Sequence, residues 1–335
     1  MTRIAVLGTG RIGRMHAENI ASHPRAKLAG VYDIHAPAAR EVAAKLGVQE
    51  FESVEAVLGS SDVDAVLIAT STPTHADLIE RSVAAGKAIL CEKPIDLSLD
   101  RVNACATKIA GTDLPIMLGF VRRFDSGHAG VRRAIESGQI GDLHQVTITS
   151  RDPGMAPDDY IEVSGGIFRD MTIHDFDMAR FILAEEVTEL TATGSRLVDP
   201  ALMQRCDDYD TVTVVLKTAS GKQAIITNSR RAVYGYDQRI EAFGSAGMAI
   251  SENRPMDHVR LYAAAFTDRA APLKNFFIDR YADAFAAEIS AFVDAVEQGR
   301  PVPVGFEDGR QALILAEAAI RSVRENRTVK ISEIG

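Results

Sequence analysis

The chain has 335 residues, enough for about two domains. Its 46% hydrophobic and 25% charged content is that of a globular protein with a sizeable core. A net charge of −9 argues against nucleic acid or an anionic membrane as partner, and no apolar run nears the roughly 18 residues of a membrane span. The three cysteines (Cys91, Cys105 and Cys206) are scattered and make neither a disulfide framework nor a zinc site. The N-terminus enters a strand with no signal-peptide pattern, so a cytoplasmic location is expected.

The first predicted strand, 3–8, runs straight into Gly8-Thr9-Gly10-Arg11-Ile12-Gly13. A helix over about 12–22 and a second strand, 28–33, follow, and the strand ends in Asp33. Strand, glycine turn, helix, strand and acid form the dinucleotide-binding fingerprint. Gly8 permits the tight turn, Gly10 lets a pyrophosphate approach the backbone, and Gly13 lets helix and strand pack closely. The helix N-terminus offers free N–H groups and a partial positive charge to phosphates. Asp33 can accept from both ribose hydroxyls and would repel a 2′-phosphate. No Arg or Lys follows at once, although Arg40 is within possible reach, so NAD is expected over NADP.

Alternation continues with strands at 64–70, 87–91 and 115–119 and helices at about 37–46, 74–85 and 98–110. That pattern predicts a parallel sheet with crossovers, and apolar strands such as Val63–Ala69 predict burial on both faces. Cys91-Glu92-Lys93-Pro94 closes the strand 87–91, and ligands of open parallel sheets bind beyond such strand ends. An arbitrary lysine is a solvated surface charge; this position makes Lys93 a candidate for chemistry.

The pattern changes after Gly119. A helix is predicted over 126–136, then alternating strands at 143–151, 187–195, 209–218, 222–230, 237–243 and 247–251. A helix over about 170–183 interrupts them, and helices over 279–298 and 307–325 follow. Hairpin turns are expected at Ala219–Lys222 and Gly244–Gly247. The predicted fold is therefore α/β: an N-terminal Rossmann-type parallel sheet (1–120), then an α+β domain (121–335) on a large, mostly antiparallel open sheet. The C-terminal helices are free to pack back on the first domain.

Asp170 and His174, four apart at a predicted helix start, share one face. A carboxylate beside an imidazole fixes its orientation and suits it to acid–base work near neutrality. The same spacing also fits a helix cap or a surface ion pair. A metal site on His174, Asp175 and Asp177 is disfavoured, since Asp175 lies on another helix face and no third histidine is near.

Taken in order, the fingerprint with Asp33, Thr70-Ser71-Thr72-Pro73-Thr74-His75, Glu92-Lys93-Pro94, Gly119–Asp125 and the Asp170–His174 helix resemble the glucose-fructose oxidoreductase/inositol dehydrogenase (Gfo/Idh/MocA) family. The resemblance spans residues 3 to about 325, and Ser164–Arg180 looks most like bacterial inositol 2-dehydrogenases. It implies a catalytic triad of Lys93, Asp170 and His174. It implies NAD contacts from Gly8, Gly10, Arg11, Ile12, Gly13, Asp33, Thr70, Ser71, His75, Glu92 and Lys93. Substrate contacts are implied for Lys93, Arg123, Asp152, Asp170, His174 and Tyr236. The implied reaction is NAD-dependent oxidation of myo-inositol to 2-keto-myo-inositol without a metal. Alternatives are scyllo-inositol or an aldose as substrate, NAD as an internal redox shuttle, or a non-catalytic NAD-binding sensor. A homo-oligomer, dimer or tetramer, is implied through the C-terminal sheet. Many inositol dehydrogenases carry Asn where this chain has Val121, which bears on the substrate more than on the reaction.

Overall fold

The computed structural model describes residues 1–334. Its chain divides into two units, residues 1–121 with 283–313, and residues 122–282 with 314–335.

In the first unit, strand β1 (Thr2–Leu7) leads into helix α1 (Arg11–Ser22), β2 (Ala26–Tyr32), α2 (Ala36–Leu46), β3 (Gln49–Glu50) and α3 (Val54–Gly59). Then come β4 (Ala65–Ile68), α4 (His75–Ala84), β5 (Ala88–Cys91), α5 (Leu99–Lys108) and β6 (Ile116–Leu118). All six strands pair in parallel in the order β3-β2-β1-β4-β5-β6. The central strands β1, β4 and β5 are buried throughout except Arg3, as the apolar runs predict. Strand order reverses between β1 and β4, so the crevice beyond their carboxyl ends is the expected ligand position. The short β3 and α3 carry too few residues to show a period, so neither is legible in the sequence.

The second unit opens with α6 (Ser126–Glu136), whose N-terminus is capped by the Asp125 carboxylate on the N–H groups of Gly127 and His128. Next are β7 (Leu143–Arg151), α7 (Asp158–Val163), α8 (Ile167–Asp170), α9 (Thr172–Leu183), β8 (Val187–Ser195) and α10 (Pro200–Arg205). Strands β9 (Thr211–Thr218), β10 (Gln223–Ser229), β11 (Asp237–Gly244) and β12 (Gly247–Ser251) follow, then a two-stranded ribbon of β13 (Arg260–Ala263) and β14 (Phe266–Ala270). Helix α11 (Phe277–Arg280) follows; residues 283–313 of the first unit carry nearly all of α12 (Ala282–Gln298) and the start of α13 (Phe306–Glu325), and the second unit ends with the rest of α13 and the short β15 (Val329–Lys330). The large sheet has the order β12-β11-β7-β10-β9-β8-β15. It is mostly antiparallel, as predicted, but β7 and β10 run parallel. Alternation decides which face is buried: Val212, Val214 and Leu216 of β9 point inward, while Val215 is 43% exposed. Both expected hairpin turns form, between β9 and β10 and between β11 and β12.

Candidate active site

In the first unit the fingerprint glycines have measurable reasons. Gly8 sits at φ +92°, and a Cβ there would lie 2.5 Å from the Ala69 carbonyl oxygen. A Cβ on Gly13 would lie 1.9 Å from the Gly8 carbonyl oxygen, so strand and helix meet backbone to backbone. Gly10 is different: nothing lies within 4 Å of its missing Cβ, and it caps α1 without a side-chain hydrogen bond. The first turn of α1 is thus left to receive an anion. Arg11 is exposed and Ile12 and Gly13 pass into the packed helix.

Asp33 lies just beyond β2. Its carboxylate accepts from the Thr9 N–H (2.6 Å), the Thr9 hydroxyl (3.0 Å) and the His35 N–H (2.8 Å). Partial burial would raise its pKa, but these hydrogen bonds outweigh it and hold the acid below its ordinary value. Asp33 therefore stays charged and braces the glycine turn. Arg40 is directed to Glu50 at 3.3 Å.

Thr70 and Ser71 follow β4, and Glu92 and Lys93 follow β5, so both pairs lie at the same strand ends as Gly8. The Thr70 hydroxyl meets that of Thr74 at 2.7 Å. His75 is buried, with Nδ1 2.8 Å from the Pro94 carbonyl and Nε2 3.0 Å from the Thr70 carbonyl. It ties the two loops together. Glu92 meets the buried His16 ring at 2.8 Å through Oε1, and its Oε2 accepts the Lys93 N–H at 3.3 Å. His16 and the buried Glu288 of α12, whose ionisation is pushed well above the ordinary range by burial and then by Glu92, were missed by sequence reading. Both sit among apolar residues of helix faces, where periodicity signals only core.

In the second unit the expected single helix over 170–183 is divided at Met171 into α8 and α9. Asp170 ends the first and His174 lies in the first turn of the second, where its N–H reaches the Met171 carbonyl at 3.3 Å. Gly165 and Gly166 adopt φ of +83° and +86°, and a Cβ on Gly166 would lie 2.9 Å from Asp208 Oδ1. That closeness lets Asp208 accept the Ile167 N–H at 2.9 Å and start α8.

Asp170 has both oxygens engaged. Oδ1 accepts from the Tyr160 hydroxyl at 2.8 Å, and Oδ2 from Arg230 Nη1 at 3.3 Å. Arg230 is buried and its other Nη donates to Asp208 at 3.3 Å. Because β7 and β10 are parallel, the residues after them share one sheet edge: Asp152 follows β7 and Arg230 follows β10. Tyr236 enters that edge just before β11, buried and edge-on to Tyr281 at 6.1 Å. Asp152 is pushed up to about 6, first by burial and then by the Asp170 charge, against the pull of Arg230 and Arg122.

The arginine pair divides its labour. Arg123, expected near substrate, makes a bidentate contact with Asp177 (2.8 and 2.6 Å) and stacks 5.2 Å over the Phe181 ring. Arg122 binds Asp175 at 2.6 Å, and its field reaches Tyr281, Tyr236 and Asp152. Arg122 rather than Arg123 therefore belongs to the polar cluster with Asp152 and Tyr236. Asp175 also accepts from Asn228 at 2.9 Å, so Asp175 and Asp177 serve the arginines. Among the described residues no group of three His, Cys, Asp or Glu side chains is placed to hold a metal.

A glycine turn and a charged acid at the switch point of a parallel sheet put the protein among the NAD-binding oxidoreductases by class. More particularly, the chain belongs to the GFO_IDH_MocA family: residues 2–120 match its oxidoreductase NAD-binding Rossmann fold and residues 128–250 its C-terminal domain. This bears out the resemblance read from the sequence. The chain is 51% identical to an inositol 2-dehydrogenase of Rhizobium meliloti, across 98% of this chain and 99% of that protein. The solved myo-inositol dehydrogenase of Corynebacterium glutamicum superposes with a TM-score of 0.95 at 44% identity, covering 98% of both chains. A scyllo-inositol dehydrogenase of Lactobacillus casei, solved with bound NAD(H) and scyllo-inositol, superposes at 0.91 with 29% identity, covering 99% of both chains.

Proposed function

We propose that the protein oxidises a cyclic polyol with NAD, converting myo-inositol to 2-keto-myo-inositol within inositol catabolism. The observation that carries this reading is the charged cluster at the shared edge of β7 and β10. Two arginines (Arg122 and Arg230) stand there among Asp152, Asp170, Asp175 and Asp208. Such a set suits several adjacent hydroxyls and rejects alcohols that lack them. The 51% identity to an inositol 2-dehydrogenase supports it independently.

NAD, when bound, supplies the hydride acceptor. Gly8, Gly10, Arg11, Ile12, Gly13, Asp33, Thr70, Ser71, Glu92 and Lys93 form its site, with His75 bracing the loops. In this reading His174 takes the hydroxyl proton as general base. Lys93 holds the same oxygen and stabilises its developing negative charge. Asp170 orients the imidazole and receives a neighbouring hydroxyl. Arg122, Asp152 and Tyr236 hold the far hydroxyls; the sequence reading expected Asp152, Tyr236 and Arg123 at the substrate, and Arg122 takes the place of Arg123.

The decisive assay is a panel of inositol isomers and aldoses with NAD and NADP, following reduced-cofactor absorbance. Myo-inositol with NAD should be the best pair. Equal turnover of cyclohexanol or short linear alcohols would overturn the polyol reading. Preference for scyllo-inositol would favour the alternative that the Lactobacillus casei neighbour supports.

Two further parts belong to the proposal. The outer face of the large sheet carries Val215, Phe243, Met248 and Ile250, between 43% and 52% exposed, and supports a dimer or tetramer through that face. Free thiols at Cys91, Cys105 and Cys206 suit a reducing cytoplasm. No helix among the described residues is long and apolar enough to cross a membrane.

A further inference from the structure

Asp170 is held by two unlike partners. Arg230, at 2% exposure, grips Oδ2 from within the protein and is itself tied to Asp208. Tyr160, at 48% exposure, grips Oδ1 from a short helix in the loop 152–164. That helix is anchored: its one buried residue, Ile161, packs on Leu202 and Met203 of α10, with Met155, Ala156 and Cys206 against them. Asp199 caps α10 through the Leu202 N–H at 2.9 Å. The phenol is thus presented to Asp170 by a built platform. The residue is nearly half exposed, yet its hydroxyl is engaged by Asp170. Desolvation and then the Asp170 charge push its ionisation upward, so it stays an O–H donor through neutral and mildly alkaline pH.

A phenol that donates its proton still has lone pairs to accept with. We propose that Tyr160 is a substrate-positioning residue: its O–H remains on Asp170 while its oxygen accepts a hydrogen bond from the ring hydroxyl beside the one oxidised. The inference rests on the polyol reading above. It assigns the loop 152–164 one direct substrate contact and makes specificity depend on a vicinal diol. A strut tyrosine would be buried; this one is 48% exposed.

The test compares wild type with Tyr160→Phe on myo-inositol and on a deoxy-inositol lacking the neighbouring hydroxyl. NAD affinity is read by titration of reduced-cofactor fluorescence, and the fold by thermal melting. Loss of the neutral hydrogen bond from the neighbouring ring hydroxyl predicts a fall in kcat/KM about 10-fold larger on myo-inositol than on the deoxy analogue, seen mainly in KM. NAD affinity should be unchanged and the melting temperature should fall only slightly, while loss of the Tyr160 donor to Asp170 lowers the use of both substrates by a common, smaller factor. Equal losses on both substrates, no loss on myo-inositol, or a large drop in melting temperature would each overturn the inference. A wild type that oxidises no cyclic polyol would instead overturn the functional reading, and this inference with it.

Discussion

Three side chains set the charge of the two sites. In the proposed NAD site the charged Asp33 would repel a 2′-phosphate, and Arg40 is turned to Glu50. Asp33→Ser should therefore narrow the preference for NAD, measured as the ratio of kcat/KM with NAD to that with NADP. A wild type equally efficient with both would refute the assignment. Lys93→Met should lower kcat by roughly 10²–10⁴-fold with little change in NAD affinity; near-normal turnover would return Lys93 to the surface charges. Asp152 makes a pH prediction. Its folded pKa of about 6 lies above the ordinary 3.8, so between these values the folded chain keeps a proton that the unfolded chain has released. Stability falls as pH rises through that window, and the loss is complete above it. Asp152→Asn should melt higher than wild type at pH 7, by on the order of 1–3 kcal/mol, with the gap closing below about pH 4. An equal gap at both pH values would mean that the buried Asp152 charge is not its source.

Among elements, the glycine-led start of α8 places Asp170. Ala at position 166 would meet both a left-handed backbone and Asp208 Oδ1 at 2.9 Å. Gly166→Ala should cost about 1–3 kcal/mol in urea unfolding and depress turnover together, because the same carboxylate starts α8 and holds Arg230. Unchanged stability would mean the turn can relax. The helix itself was legible from its period, and so were nearly all the long elements. The break at Met171 was not, because nothing in the residues around it departs from a helical pattern. Arg230 escaped for another reason: it is 60 residues from Asp170, and only the sheet's pairing joins them. Arg122 and Arg123 stand side by side in one short turn, and their opposite fates depend on Asp175 and Asp177 one helix away. Glycine turns and terminal strand residues are local signals, whereas ion-pair partners are products of topology.

For the whole molecule, the open sheet face is the main feature left to explain. Phe243, Met248 and Ile250 lie together, exposed, on β11 and β12, with the exposed Val215 on the same face of β9, beyond the intervening β7 and β10. Phe243→Asp combined with Ile250→Lys should convert an oligomer to a monomer in light scattering after gel filtration. A wild type already monomeric at micromolar concentration would refute that reading. The parallel pairing of β7 with β10 carries a different consequence. Every residue from Gln223 to Ser229 is matched to one from Gln145 to Arg151. A slip of one step would carry Arg230 about 3.3 Å along the strand and turn its neighbours to the opposite face. The hairpin at Ala219–Lys222 fixes where β10 starts against its other neighbour, β9, so a deletion in that exposed turn would pull β10 along both neighbours and detune the charge balance around Asp170 while leaving every residue of the cluster in the chain.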